Sequence, residues 1–144
     1  MPFIQVETSV DGPPEAAFAL ASNMEDYPRF MKDVVYLKVL EHDGDSQISE
    51  WHARLQGRIL RWKERDVFDE ATRTITYQQT EGDLKRFEGA WRFEAAGTGT
   101  KITLTVDFDL GIPMLAPLLD PVATLVVKRN CQDMLAGMRQ QLAR

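Results

Sequence analysis

The chain has 144 residues, 44% of them hydrophobic, and a formal net charge of −5. That is the size of one domain with a real core, and the sign makes nucleic acid and anionic membrane poor partners. A single cysteine, Cys131, excludes an internal disulfide and the common cysteine-rich zinc sites, and two histidines cannot build a three-histidine metal centre.

Phe3 to Val10 alternates Ile4, Val6, Thr8 and Val10 against Gln5, Glu7 and Ser9, which predicts a strand. Asp11-Gly12-Pro13-Pro14 turns the chain, and Pro14 suits a first helical position. Glu15 to Ser22 is alanine-rich and predicts a short helix; Met24 to Met31, with Pro28 near its start, predicts a second. Six strands follow: Val34–Glu41, Gln47–Gln56, Arg58–Phe68, Arg73–Thr80, Arg86–Ala95 and Lys101–Leu110. They are separated by turns at Asp43-Gly44-Asp45, Gly57, Asp69 to Thr72, Glu81-Gly82-Asp83 and Gly97-Thr98-Gly99. Trp51 shares a face with Ala53 and Leu55, and Trp91 with Phe87, Gly89 and Phe93.

From Pro113 the period becomes helical, with a regular helix expected from about Asp120 or Pro121. Its apolar residues do not hold one stripe. Leu118, Val122, Leu125 and Val126 centre on one direction; Val127, Cys131, Met134, Leu135, Met138 and Leu142 centre roughly 150° away at 100° per residue. Such a helix is either apolar on most sides in its first half or bent. No run reaches the ~18 apolar residues of a membrane span. Pro2-Phe3-Ile4-Gln5 has no leader-like character, so a cytoplasmic protein with no integral membrane segment is expected.

The stretch Leu60-Arg61-Trp62-Lys63-Glu64-Arg65-Asp66-Val67-Phe68 is the most informative. As a strand it puts Leu60, Trp62, Glu64, Asp66 and Phe68 on one face and Arg61, Lys63, Arg65 and Val67 on the other. The large apolar residues make the first face the inner one and carry two carboxylates inward. Unpaired carboxylates cost several kcal/mol or more in a dry core. Glu64 and Asp66 therefore face a wet cavity, have partners such as Arg129, or are protonated; alternatively the strand end leaves the sheet and Asp66 is solvated.

Strand, two short helices, six strands and a long helix predict an α+β fold: a seven-stranded antiparallel curved sheet wrapped around the C-terminal helix. Residues 1–144 form one ligand-binding domain on this reading. The gap between sheet and helix is a natural small-molecule site.

The stretches Met24 to Met31, Trp62 to Asp69, Arg86 to Phe93, Thr100 to Phe108 and Asn130 to Met134 resemble the START-like, helix-grip (SRPBCC) superfamily. Within it the chain is similar to the polyketide cyclase/dehydrase group, which includes aromatase/cyclases and coenzyme-Q-binding proteins. The resemblance implies a deep, mostly apolar cavity. In aromatase/cyclases of this type an arginine on the strand equivalent to Arg58–Phe68 is thought to act on the polyketide. Aligned through Thr72-Arg73-Thr74, that position falls on Asp66; a slide of one residue gives Arg65, which alternation turns outward. The catalytic arginine is therefore expected to be absent.

The candidate catalytic residues are Glu64 and Asp66, whose paired carboxyls could share a proton or act as acid and base. The candidate ligand-binding residues are Trp51, Trp62, Trp91, Phe87 and Gly89 on the sheet. Tyr27, Phe30 and Met31 on the second short helix form one lip, Met114 and Leu118 the other, and Asn130 offers an amide from the helix. Gly82 is expected only to supply a turn, and His42 and His52 to be surface residues. No metal or cofactor is expected. The first functional reading is a binder of a hydrophobic or polycyclic molecule, polyketide-, quinone- or lipid-like. The second is a polyketide aromatase/cyclase or dehydratase. The third is a protein-interaction module using Arg54, Arg61, Lys63 and Arg65, and a homodimer stays open as an assembly.

Overall fold

A computed structural model describes residues 3–109 and 116–144, with side chains of the last helix from residue 121 onward. Strand β1 (Phe3–Asp11) leads into helix α1 (Pro14–Ser22), a single 3-10 turn (Met24–Asp26) and helix α2 (Tyr27–Phe30). Strands β2 (Val34–Asp43), β3 (Ser46–Leu55), β4 (Arg58–Asp69), β5 (Thr74–Gly82), β6 (Arg86–Ala96) and β7 (Gly99–Asp109) follow, then helix α3 (Ala116–Leu142). The strands form one antiparallel sheet in the order β1-β7-β6-β5-β4-β3-β2. Every link from β2 to β7 is a hairpin, so chain order and spatial order coincide there. Only β1 jumps across the fold, and α1 and α2 span that jump. This is the expected architecture.

Local chemistry explains the boundaries. Gln56 and Gly57 both have positive φ, 50° and 79°, as a two-residue hairpin that follows the sheet twist requires. That takes Gln56 out of β3, one residue earlier than alternation suggests. Helix α3 begins at Ala116, ahead of the expected Asp120 or Pro121, and runs through Pro121. Proline already has a helical φ, and its missing N–H removes one backbone bond without ending the helix.

The two apolar directions of α3 have separate fates. Val127, Cys131, Leu135 and Met138 are buried, whereas Val122 and Leu125 are 55% and 57% exposed. The first half of α3 is thus apolar toward both core and solvent. Gly137 lets α2 seat directly on α3, because a Cβ there would stand 2.2 Å from the Phe30 carbonyl oxygen. The remaining core comes from alternate residues of the strands, among them Ile4, Val6, Ile75, Phe93, Ile102, Leu104 and Phe108. No helix of the described residues is long and apolar enough to cross a membrane.

Candidate functional site

The inner faces of β3 to β7 and one side of α3 enclose a cavity of about 90 Å³. Six aromatic residues line it: Trp51, Trp62, Tyr77, Phe87, Trp91 and Phe108. The antiparallel register puts Trp51 directly opposite Trp62. Their rings stack at 5.5 Å with an interplanar angle of 16°. Phe87 leans on Trp62 at 5.1 Å and on Tyr77 at 5.5 Å. Helix α3 supplies Val127, Asn130, Cys131 and Met134. The Asn130 amide N–H₂ donates to the Arg54 carbonyl at 2.8 Å, which ties helix to sheet beside the cavity. Cys131 is buried, and burial pushes its thiol up to about 12; it is a wall residue, not a nucleophile.

Glu64 also lines the cavity. It is 2% exposed and Asp66 is 0% exposed, so the inward direction read from alternation holds for both. Asp66 lies behind Glu64, away from the cavity wall. Its Oδ2 accepts the Ser49 hydroxyl at 2.6 Å and the Gln47 amide at 3.0 Å. The Trp51 indole N–H donates to Ser49 Oγ at 2.9 Å, extending the chain toward the cavity. Glu64 Oε1 accepts one donor, the Trp62 indole N–H, at 2.8 Å. No ion pair among the described residues reaches either carboxyl. Arg129, offered above as a counter-ion, is exposed on α3.

The two carboxyls are unequally partnered: two donors reach Asp66. Glu64, with one, sits well above the usual carboxylate range: burial is the largest cause, then the charge of Asp66 and the hydrogen bond to it, with the Trp62 N–H opposing. The charge of Asp66 thus adds to the cost of ionising Glu64. Burial and then these two acids also hold the Tyr27 phenol well above its ordinary value.

Other predicted site residues fall elsewhere. Tyr27, Phe30 and Met31 do not reach the cavity. Tyr27 is fully buried, donates to the Ala21 carbonyl at 2.5 Å and packs edge-on against Trp51. It supports the aromatic wall from outside the cavity, because the short helix is anchored over that wall. Phe30 packs on Tyr27, and Met31 is buried near Gly137. Gly89 opens space for protein atoms instead of a ligand: a Cβ there would lie 1.9 Å from the Thr105 carbonyl oxygen and 2.6 Å from the Tyr77 hydroxyl. Those two groups form a hydrogen bond of 2.7 Å. Gly82 does more than turn the chain. It pairs with Trp62, and a Cβ there would stand 2.4 Å from the Trp62 Cβ. Met114 and the Leu118 side chain lie outside the described residues. Arg65 is exposed, as alternation requires, so no arginine of β4 enters the cavity.

Gln47 and Ser49 were not anticipated. Both share the parity of Trp51 on β3, and the register sets Gln47 against Asp66 and Ser49 against Glu64. That parity was the available signal; the register was not.

A family model described as polyketide cyclase / dehydrase and lipid transport matches residues 10–135. The chain is 30% identical over 114 residues to the actinorhodin polyketide synthase bifunctional cyclase/dehydratase of Streptomyces coelicolor, covering 75% of this chain and 36% of that protein. It thus spans about a third of that relative's length. It is 28% identical over 134 residues to the ribosome association toxin RatA of Pseudomonas aeruginosa, covering 90% of this chain and 92% of that one. A solved Thermus thermophilus protein superposes with a TM-score of 0.94 at 30% identity, covering 99% of this chain and 97% of that one. The Zhui aromatase/cyclase of a Streptomyces strain superposes at 0.87 with 22% identity, covering 99% of this chain and 93% of that one, a likeness of fold.

Proposed function

The chain belongs to the polyketide cyclase/dehydrase and lipid transport family, and from this premise we propose that it binds a flat hydrophobic small molecule between the sheet and α3. The carrying observation is the cavity walled by Trp51, Trp62, Tyr77, Phe87 and Trp91. Aromatic faces hold a flat ligand by stacking and give up little side-chain entropy in doing so. Pockets for drug-sized ligands run to about 300–1,000 Å³. The present 90 Å³ takes one small ring, and a polycycle enters only as α3 moves off the sheet. The test is titration of tryptophan fluorescence with one-, two- and three-ring aromatics, paired with mass spectrometry of material released from natively purified protein. Saturable 1:1 quenching is expected; no binding by any of them sinks the reading.

A second reading is acid–base chemistry on a bound ketone, favoured by the placement of Glu64 on the cavity wall. With its carboxyl pushed above the usual carboxylate range, Glu64 can act as the acid toward a carbonyl oxygen, with Asp66 as the second carboxyl behind it. Glu64→Gln and Asp66→Asn should then abolish turnover of a poly-β-ketone and leave binding largely intact. Unchanged turnover removes the pair from any mechanism. The interaction-module reading gains less support: Arg54 pairs with Asp33 and Lys63 with Glu81, so part of the outer charge is already neutralised.

A further inference from the structure

We propose that the ligand of this cavity carries a cationic group, a protonated amine or quaternary ammonium, received by the Glu64–Asp66 pair and the surrounding aromatic faces. This rests on reading the cavity as a ligand site and adds the charge of what enters it.

The argument starts from an imbalance. Two carboxyls are at most 2% exposed, and no ion pair among the described residues includes either, so negative charge on the pair has no counter-ion. Buried charge ordinarily comes with a counter-ion, because desolvation is otherwise uncompensated. No lysine, arginine or histidine among the described residues supplies one. The titratable groups facing the pair are Tyr27 from α2, Tyr77 from β5 and Cys131 from α3. All three are neutral at pH 7, and burial pushes each further up. What lies on the open side of Glu64 is the cavity.

The cavity wall repeats the same bias. Its ionisable side chains include two acids, Asp33 and Glu64, and among the described residues no basic one. Asp33 has Arg54 as its partner, so Glu64 is the acid left to face a ligand, and an anionic ligand would find no basic side chain there. The aromatic rings of the wall present electron-rich faces, which attract a cation by about 0.5–2 kcal/mol per good contact, more as water is excluded. A neutral hydrophobe would use the rings and leave the charge unanswered.

The pair can also move its charge to the wall. Asp66 Oδ1 is buried and accepts no donor among the described residues, and the Glu64 carboxyl is hydrogen-bonded to the same Asp66 side chain. If the Glu64 O–H bond breaks and an O–H bond forms at Asp66 Oδ1, the pair keeps one proton and one charge. The charge then sits on Glu64, facing the cavity. A bound cation favours that arrangement, and no external acid or base is needed.

The test uses a matched pair of probes, phenyltrimethylammonium and its neutral isostere tert-butylbenzene, with benzoate as the anionic control. Each is titrated at pH 7 by tryptophan fluorescence against the full chain, Asp66→Asn and Glu64→Gln, with far-UV circular dichroism confirming folded variants. The ammonium should bind the unmodified chain at least tenfold tighter than tert-butylbenzene, benzoate should not bind, and the preference should fall to threefold or less in either variant. Equal or tighter binding of tert-butylbenzene by the unmodified chain overturns the charge assignment while the hydrophobic site stands. Binding of none of the probes overturns both. A tenfold preference that survives both substitutions would place the cation elsewhere and refute the role of the pair. Should Asp66→Asn fail to fold, Glu64→Gln decides the same point, since it leaves no proton to relocate.

Discussion

Replacing Glu64 by glutamine keeps the shape of the side chain and removes its proton equilibrium. The amide oxygen can still accept the Trp62 indole N–H now held at 2.8 Å, and the amide N–H₂ can donate to Asp66. Glutamine therefore imitates the protonated acid. In the unfolded chain Glu64 ionises near its model value of 4.5, and in the folded chain it holds its proton to higher pH, chiefly through burial and then the charge of Asp66. Between those two values the folded state binds one more proton than the unfolded state. Stability contributed by Glu64 is thus fully present below about pH 4.5 and is lost as pH rises toward the folded value, by at most about 1.4 kcal/mol per pH unit. The other titrating groups are common to both proteins, so their difference reads Glu64 together with its effect on Asp66. Glu64→Gln should gain on the unmodified chain as pH goes from 5 to 7, by at most about 2.7 kcal/mol over the two units. Urea unfolding at pH 5, 6 and 7, followed by far-UV circular dichroism, reads it directly. A difference that is flat with pH, or that grows in favour of glutamate, would mean Glu64 is charged in the folded state. The raised range given to Glu64 would then be wrong.

Three other expectations can be checked on the same footing. Ser49→Ala takes a 2.6 Å donor from Asp66 and the acceptor from the Trp51 indole, and should cost about 1–3 kcal/mol in urea unfolding. A cost under 0.3 kcal/mol would show that water replaces the hydroxyl and that Asp66 is not held as described. Gly82→Ala drives a methyl into the Trp62 backbone and Cβ at 2.7 and 2.4 Å, and should destabilise by about 1–3 kcal/mol and shift tryptophan emission; an unchanged spectrum and midpoint would contradict the packing. Cys131, buried with its thiol pushed up to about 12, should resist a thiol-specific disulfide reagent at pH 8 until denaturant is added. Fast labelling of the native protein would show that α3 opens readily.

Much of this protein is written in two periodicities. Alternation locates the strands and gives the face of every large aromatic residue, including Trp51, Trp62 and Trp91, because a period of two leaves no freedom once one face must be dry. The same rule turned Glu64 and Asp66 inward and Arg65 outward. Alternation says nothing about neighbours across the sheet. Gln47 and Ser49 look like the polar start of an exposed strand until the β3–β4 register sets them against Asp66 and Glu64. Tyr27 reads equally well as a cavity lip or as a buried prop; its bond to Ala21 and its edge-on contact with Trp51 decide for the prop.

The sequence by itself determined the order of the elements, the inner face of each strand and the presence of two acids on one such face, since each depends only on residues near one another in the chain. Whether those acids meet a cation, a hydroxyl, each other or an empty space depends on strands, helices and register that come together only in the folded chain. Tertiary structure alone therefore decided that Ser49 and Gln47 hold Asp66, that Glu64 is pushed above the usual carboxylate range, and that a cavity of aromatic faces opens beside it.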